Sequence, residues 1–267
     1  MKSPFALASA LVLLAVACEK TPKPAEPGAD AVTSPAPATG LQPATSGTQL
    51  DLLAMLHLAD AYDSAGLVVD FGTASRFKYT DGNWPDGWVD DRREGDATVS
   101  TFISKGVVYL PFASAGPSQL RIRLKAYASG PLIVQLNGKQ LTATQVSADK
   151  GFEEIVVPIP DGNARIGENE LKLSATGTAP VDGKTLSLAV DWMRLESSPS
   201  GDAATASPLP KPIRAEQISI EGVQRGAVRL APGAQLDWFA EVVPEAVLRF
   251  GAGSLSGGDG TLMIDVQ

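Results

Sequence analysis

The sequence predicts an all-β protein built as a two-layer sandwich, and three observations carry that expectation. Apolar and polar residues alternate with a period of two along Leu120-Arg121-Ile122-Arg123-Leu124-Lys125-Ala126-Tyr127, a pattern that buries one face of a strand and wets the other. Turn signals, above all Asn137-Gly138, recur between short apolar runs. Glycine (26) and proline (20) are too frequent among 267 residues for a helical bundle, and they lack a fibrous period.

Composition also excludes functions. The chain has one histidine and one cysteine, so neither an intrachain disulfide nor a zinc site of several His and Cys residues can form. A Ser-His-Asp triad would need His57 as its base. Lys plus Arg number 22 against 30 Asp plus Glu, a formal charge of -8, which argues against a nucleic-acid partner.

The elements follow in chain order. Met1-Lys2 is a short basic start, and Pro4 to Ala17 is almost wholly apolar. As a helix that run spans roughly 21 Å against a hydrocarbon core of ~30 Å, which suits a cleaved leader over 1–17. Its end, Leu14-Ala15-Val16-Ala17-Cys18, resembles the lipobox of bacterial lipoproteins, with Ala15 where leucine is commoner. The resemblance implies that the Cys18 sulfur carries a diacylglycerol and that cleavage precedes Cys18. The membrane would then be a partner through the lipid anchor. Glu19 resembles the residue type that leaves lipoproteins in the outer membrane, so the expected location is an outer-membrane lipoprotein facing the periplasm or the cell surface. Residues 18–47, rich in Pro, Ala, Thr, Ser and Gly and free of aromatics, read as a disordered tether.

A β-sandwich domain is expected over 48–197, beginning with a short helix. Thr48 would cap it, Leu52, Leu53, Leu56 and Ala59 recur at helical spacing, and Ser64-Ala65-Gly66 would end it. His57 then sits at or near the apolar face as a packed or rim residue. Strands are expected at Leu67–Phe71, Thr98–Phe102, Val107–Phe112, Leu120–Tyr127, Leu132–Leu136, Gln140–Ala143, Phe152–Ile159, Glu170–Ala175 and Leu186–Leu195.

The order of an alternating strand, a strand closing in Leu136-Asn137-Gly138, then Phe152 to Pro158, then Ile166-Gly167-Glu168-Asn169-Glu170-Leu171 resembles galactose-binding-like jelly rolls. The last strand, ending Asp191-Trp192-Met193-Arg194-Leu195, fits the same pattern. A narrower resemblance rests on Phe71-Gly72-Thr73-Ala74-Ser75-Arg76-Phe77-Lys78-Tyr79-Thr80, on Trp84, Gly87 and Trp88, and on Arg225-Gly226-Ala227-Val228 with Gly233-Ala234-Gln235-Leu236. These look like the N-terminal, non-catalytic region of deltaproteobacterial lipoprotein sulfatases. That resemblance implies a jelly roll in front of a catalytic domain. The sulfatase C/S-x-P-x-R motif itself is not in this sequence.

The segment Lys78 to Asp96, expected as a loop, is the candidate site. It gathers Tyr79, Trp84 and Trp88 with Asp81, Asp86, Asp90, Asp91, Glu94 and Asp96. Aromatic faces stack on sugar rings and carboxylates accept from hydroxyls, so Tyr79, Trp84, Asp86, Trp88, Asp90 and Asp91 are the candidate carbohydrate contacts. Other readings stay open: tryptophans that cap the sandwich, acids that form a solvated face, calcium held through Asp81-x-Asn83, or a carboxylate pair for glycoside hydrolysis. A sulfated ligand would need Arg92, Arg93 or the strand face of Arg121, Arg123 and Lys125 to supply positive potential.

Residues 198–213 read as a linker by composition, and 214–267 as a partial second β-sandwich; the rival accounts are a small complete two-sheet domain, or strands that complete the first sandwich. The strands of 214–267 are expected at Ile218–Ile220, Ala227–Leu230, Leu236–Val242, Ala246–Phe250 and Thr261–Val266. The glycine run 251–260 has no Gly-Lys-Ser/Thr and is a turn, not a phosphate loop. The functional expectation is a lipid-anchored envelope accessory module, non-catalytic and carbohydrate-binding, from the front of a sulfatase-like protein. The alternatives are a structural or protein-interaction lipoprotein of the envelope and a hydrolase with an unrecognised carboxylate site.

Overall fold

The computed structural model describes residues 10–13, 50–81, 86–197, 213–220, 222–241, 245–254 and 261–265. Cys18, the tether, Trp84 and nearly all of the linker lie outside these residues. The strands are β1 (Ala10–Leu13), β2 (Asp60–Tyr62), β3 (Gly66–Asp70), β4 (Trp88–Glu94), β5 (Ala97–Phe102) and β6 (Lys105–Phe112). Then come β7 (Ser118–Ala126), β8 (Gly130–Leu136), β9 (Lys139–Val146), β10 (Phe152–Ile159), β11 (Gly167–Ala175) and β12 (Ala179–Val181). The last are β13 (Lys184–Leu186), β14 (Leu188–Ser197), β15 (Ala215–Ile220), β16 (Val223–Leu230), β17 (Gln235–Asp237) and β18 (Gly251–Ser254).

Two antiparallel sheets make the sandwich, as the all-β jelly-roll expectation required. One runs β10-β7-β14-β3-β2-β17, with β5 also paired to β14 and β4 outside β5; the other runs β6-β11-β8-β9. Alternation decides which residues meet between them. Leu120, Ile122 and Leu124 of β7 and Val190 and Met193 of β14 face Val108 and Leu110 of β6, Leu132, Val134 and Leu136 of β8, and Leu171 and Leu173 of β11 in one buried core. The hairpin between β8 and β9 turns at Asn137 (φ 50) and Gly138 (φ 79), the left-handed pair that Asn-Gly accommodates best. Separately, β15, β16, β1 and β18 pair in a sheet of their own.

Three expectations are corrected. The helix over 48–66 is reduced to a turn and one 3-10 turn at Leu56–Leu58, because Ala61 and Tyr62 pair as β2 with Val68 and Leu67 of β3. Sheet pairing outcompetes helical spacing there. Asp51 caps the turn, accepting from the amides of Leu53 (3.0 Å) and Ala54 (3.1 Å). His57 is exposed, which leaves the rim position of the two that were expected. Secondly, Trp88–Glu94 within the expected loop 78–96 form strand β4, in register with β5 from Asp90↔Thr101 to Glu94↔Ala97. Finally, residues 246–250 and 261–265 are not strands, and Val247 (74%) and Met263 (86%) remain exposed.

Candidate functional site

Strand β4 and the segment before it hold most of the candidate residues, and the structure turns most of them inward. Trp88 is completely enclosed. Its ring centroid lies 4.9 Å from that of Phe71 and 5.5 Å from that of Phe102, edge-on at 89°. Its Nε1–H donates to the Val107 carbonyl at 2.8 Å. The backbone can bring Trp88 there because Gly87 takes φ +85 and closes against the Lys105 carbonyl, where a Cβ would collide. A ring enclosed on all sides offers no face to a sugar, so the carbohydrate role expected of Trp88 gives way to that of a core residue.

Tyr79 is likewise 3% exposed. Its hydroxyl donates to Asp60 at 2.5 Å, and burial, with that bond, drives its pKa far above the ordinary phenol value. Lys78 Nζ closes on the same Asp60 carboxylate at 2.6 Å. Asp86 is buried too; its carboxylate accepts from the Asp81 amide and its carbonyl from the Val107 amide. Desolvation raises its pKa. Tyr79 and Asp86 are therefore framework, not contact residues.

The acids of β4 are also engaged. Asp91 Oδ2 pairs with Arg76 Nη2 at 2.8 Å and its Oδ1 accepts from Ser100 Oγ at 2.7 Å. Arg76 is itself wholly buried, its guanidinium 4.3 Å from the Phe77 ring centroid and 6.0 Å from that of Trp88. Asp90 pairs with Lys184 at 3.1 Å, and Arg92 with Asp182. Sequence reasoning missed Arg76, because a cation between Phe71 and Phe77 carries no periodic sign of burial.

The basic face of β7 is neutralised in the same way. Arg121 meets Glu196 at 3.1 Å and Glu154 at 3.5 Å, Arg123 meets Asp191, and Lys125 meets Glu94 at 2.8 Å. Burial pushes the Glu196 pKa up, but hydrogen bonds from Gln119, Arg194 and Arg121 outweigh it and hold the carboxyl below its ordinary value. Glu94 is lowered on the same pattern, burial being outweighed by Lys125 and Tyr127. The positive potential anticipated for Arg121, Arg123 and Lys125 is thus spent within the sheet.

One residue that the sequence reading passed over completes the surface. Alternation in β6 sends Val108, Leu110 and Phe112 inward and leaves Tyr109 half-buried on the outer face. Tyr109 stands opposite Glu170 of β11. Burial, the nearby Asp86, Asp81 and Glu170 carboxylates and a hydrogen bond with Asp81 all raise its pKa. The period-two reading of Val107–Phe112 was the available signal. For calcium, no three His, Cys, Asp or Glu side chains converge as a metal-holding group among the described residues, and Asn83 lies outside them.

No family model and no curated protein sequence matches this chain. Among solved structures it is similar to a family 35 carbohydrate-binding module from an environmental isolate, at 16% identity and a TM-score of 0.34, over 45% of this chain and 91% of that one. A family 6 carbohydrate-binding module shares 12% identity at a TM-score of 0.35, over 50% and 95%. A family 36 module in complex with calcium and xylotriose shares 13% identity at 0.27, over 40% and 89%.

Proposed function

We propose that the chain is a lipid-anchored, non-catalytic module of the bacterial envelope whose sandwich binds carbohydrate on the outer face of the β6 sheet. The observation that carries this reading is Tyr109, a half-buried aromatic side chain on the outer face of β6 that stands opposite Glu170 of β11. A ring face flanked by acceptors is what a neutral sugar engages. The engaged state of Arg121, Arg123 and Lys125 disfavours sulfated ligands.

A glycan array probed with wild-type chain and with Tyr109→Ala tests the reading. Binding by the wild type, weakened at least tenfold by Tyr109→Ala with an unchanged melting temperature, supports it. Binding that is equal in both variants, or absent from both, overturns it. The anchor is tested by comparing membrane partition and intact mass of wild type and Cys18→Ala; equal solubility and no acyl mass would refute it. Parentage by a sulfatase-like polypeptide is tested by the reading frame after codon 267.

A second reading, a protein-interaction lipoprotein, is favoured by exposed apolar side chains near the C-terminus. Phe239, Val247 and Met263 are all largely exposed.

A further inference from the structure

The segment after the linker makes five separate attachments to the first sandwich. Arg214 Nε and Nη2 donate to the two carboxylate oxygens of Asp70 at 3.1 and 3.2 Å, and Nη2 also reaches Thr98 Oγ1 at 3.1 Å. Ile213 lines a small cavity with Leu56, Ala59, Val68, Ser75 and Tyr79. Gly226 approaches Leu53 so closely that a Cβ there would lie 2.6 Å from Leu53 Cδ2. Strand β17 adds to the sandwich as its outermost strand, with Gln235↔Tyr62, Leu236↔Ala61 and Asp237↔Asp60. Beyond it, Lys78 Nζ lies 5.1 Å from the Phe239 ring centroid.

We propose that residues 213–239 are a strap of the first sandwich, which closes the edge of β2 against strand addition by other chains. Without β17, β2 would be the terminal strand of that sheet and would present an unpaired row of backbone groups. Both ends of the Pro- and Ser-containing stretch 198–212 are tied to the same body, since β14 ends at Ser197 and Arg214 is bonded to Asp70. The inference is independent of the carbohydrate reading, because Tyr109 lies on the other sheet.

The test uses the full chain with a specific protease site inserted between residues 199 and 211. After cleavage, the two pieces should co-elute as one species in size-exclusion chromatography and stay together in native mass spectrometry. Adding Arg214→Ala with Leu236→Pro, which removes the clamp and the β17 ladder, should separate them. In the uncut chain the same pair of substitutions should accelerate hydrogen exchange of at least one amide in 60–62 by tenfold or more. Separation of the cut wild-type pieces, or unchanged exchange at 60–62 in the double variant, overturns the proposal.

Discussion

Replacing Trp88 by alanine distinguishes a core tryptophan from a sugar platform. The ring is wholly enclosed, touches Phe71 and Phe102, and holds the Val107 carbonyl. Gly106 sits against it so closely that a Cβ there would lie 2.9 Å from Trp88 Cζ2. The Phe71 and Phe102 rings and the backbone of β6 around it are held in place by the sheets, which limits collapse into the space left behind. Truncation of such a tryptophan costs about 3–5 kcal/mol. For a domain of this size each kcal/mol lowers the melting temperature by roughly 2–4 °C, so a fall of about 6–20 °C is expected. Trp88→Phe keeps much of the packing but orphans the Val107 carbonyl, and should cost about 1–3 kcal/mol. Urea and thermal unfolding followed by far-UV circular dichroism measure both. A melting temperature within about 2 °C of the parent for Trp88→Ala, together with lost glycan binding, would refute the reasoning.

Three further outcomes are expected. Arg76→Ala removes a wholly buried side chain and its pair with the solvent-exposed Asp91 and should cost about 2–5 kcal/mol in urea unfolding, mainly through the space left behind; a loss below about 1 kcal/mol would mean that the surroundings refill it. Asn169→Ala removes a buried amide that bonds the Arg165 amide and carbonyl, the Gly167 carbonyl and Asn137 Nδ2, and should cost about 2–3 kcal/mol, read from the same curves. Asp70, whose pKa burial raises to about 6 against the pull of Arg214, binds its proton more tightly folded than unfolded. Its contribution to stability is therefore complete below about pH 4 and lost as pH rises through about 6. Asp70→Asn should flatten the stability profile between those values, and identical slopes in variant and parent would contradict the assignment.

The strands that alternate cleanly were legible. Phe152–Ile159 and the β7 run coincide with the observed elements almost residue for residue, because each has one wet face and one dry one. Strand β4 was hidden by its own charges. Asp90-Asp91-Arg92-Arg93 looks like a solvated loop until Arg76 is known to wait beneath Asp91, and that meeting spans fifteen residues. The helix assigned to 48–66 failed for the converse reason: leucine spacing is local, whereas the pairing of Ala61 with Val68 belongs to the sheet. Within the site, the aromatic and acidic composition was visible. What composition lacks is direction, and direction sends Tyr79, Asp86 and Trp88 into the interior while Tyr109 stays outside.

The pairing of cations along β7 and β14 also shapes the field around the molecule. With Arg121, Arg123, Lys125 and Arg194 each held by a carboxylate, this face of the sheet presents no concentrated positive patch, and the chain as a whole carries -8. Toward any anionic surface, a lipid headgroup layer or an acidic polysaccharide coat, such a body acts as a weakly repelled colloid. The repulsion reaches about one Debye length, ~8 Å at physiological ionic strength. Close approach is therefore discouraged by default and strengthens only as salt rises, so contact between this sandwich and an acidic envelope surface is a matter of ionic conditions as much as of fit.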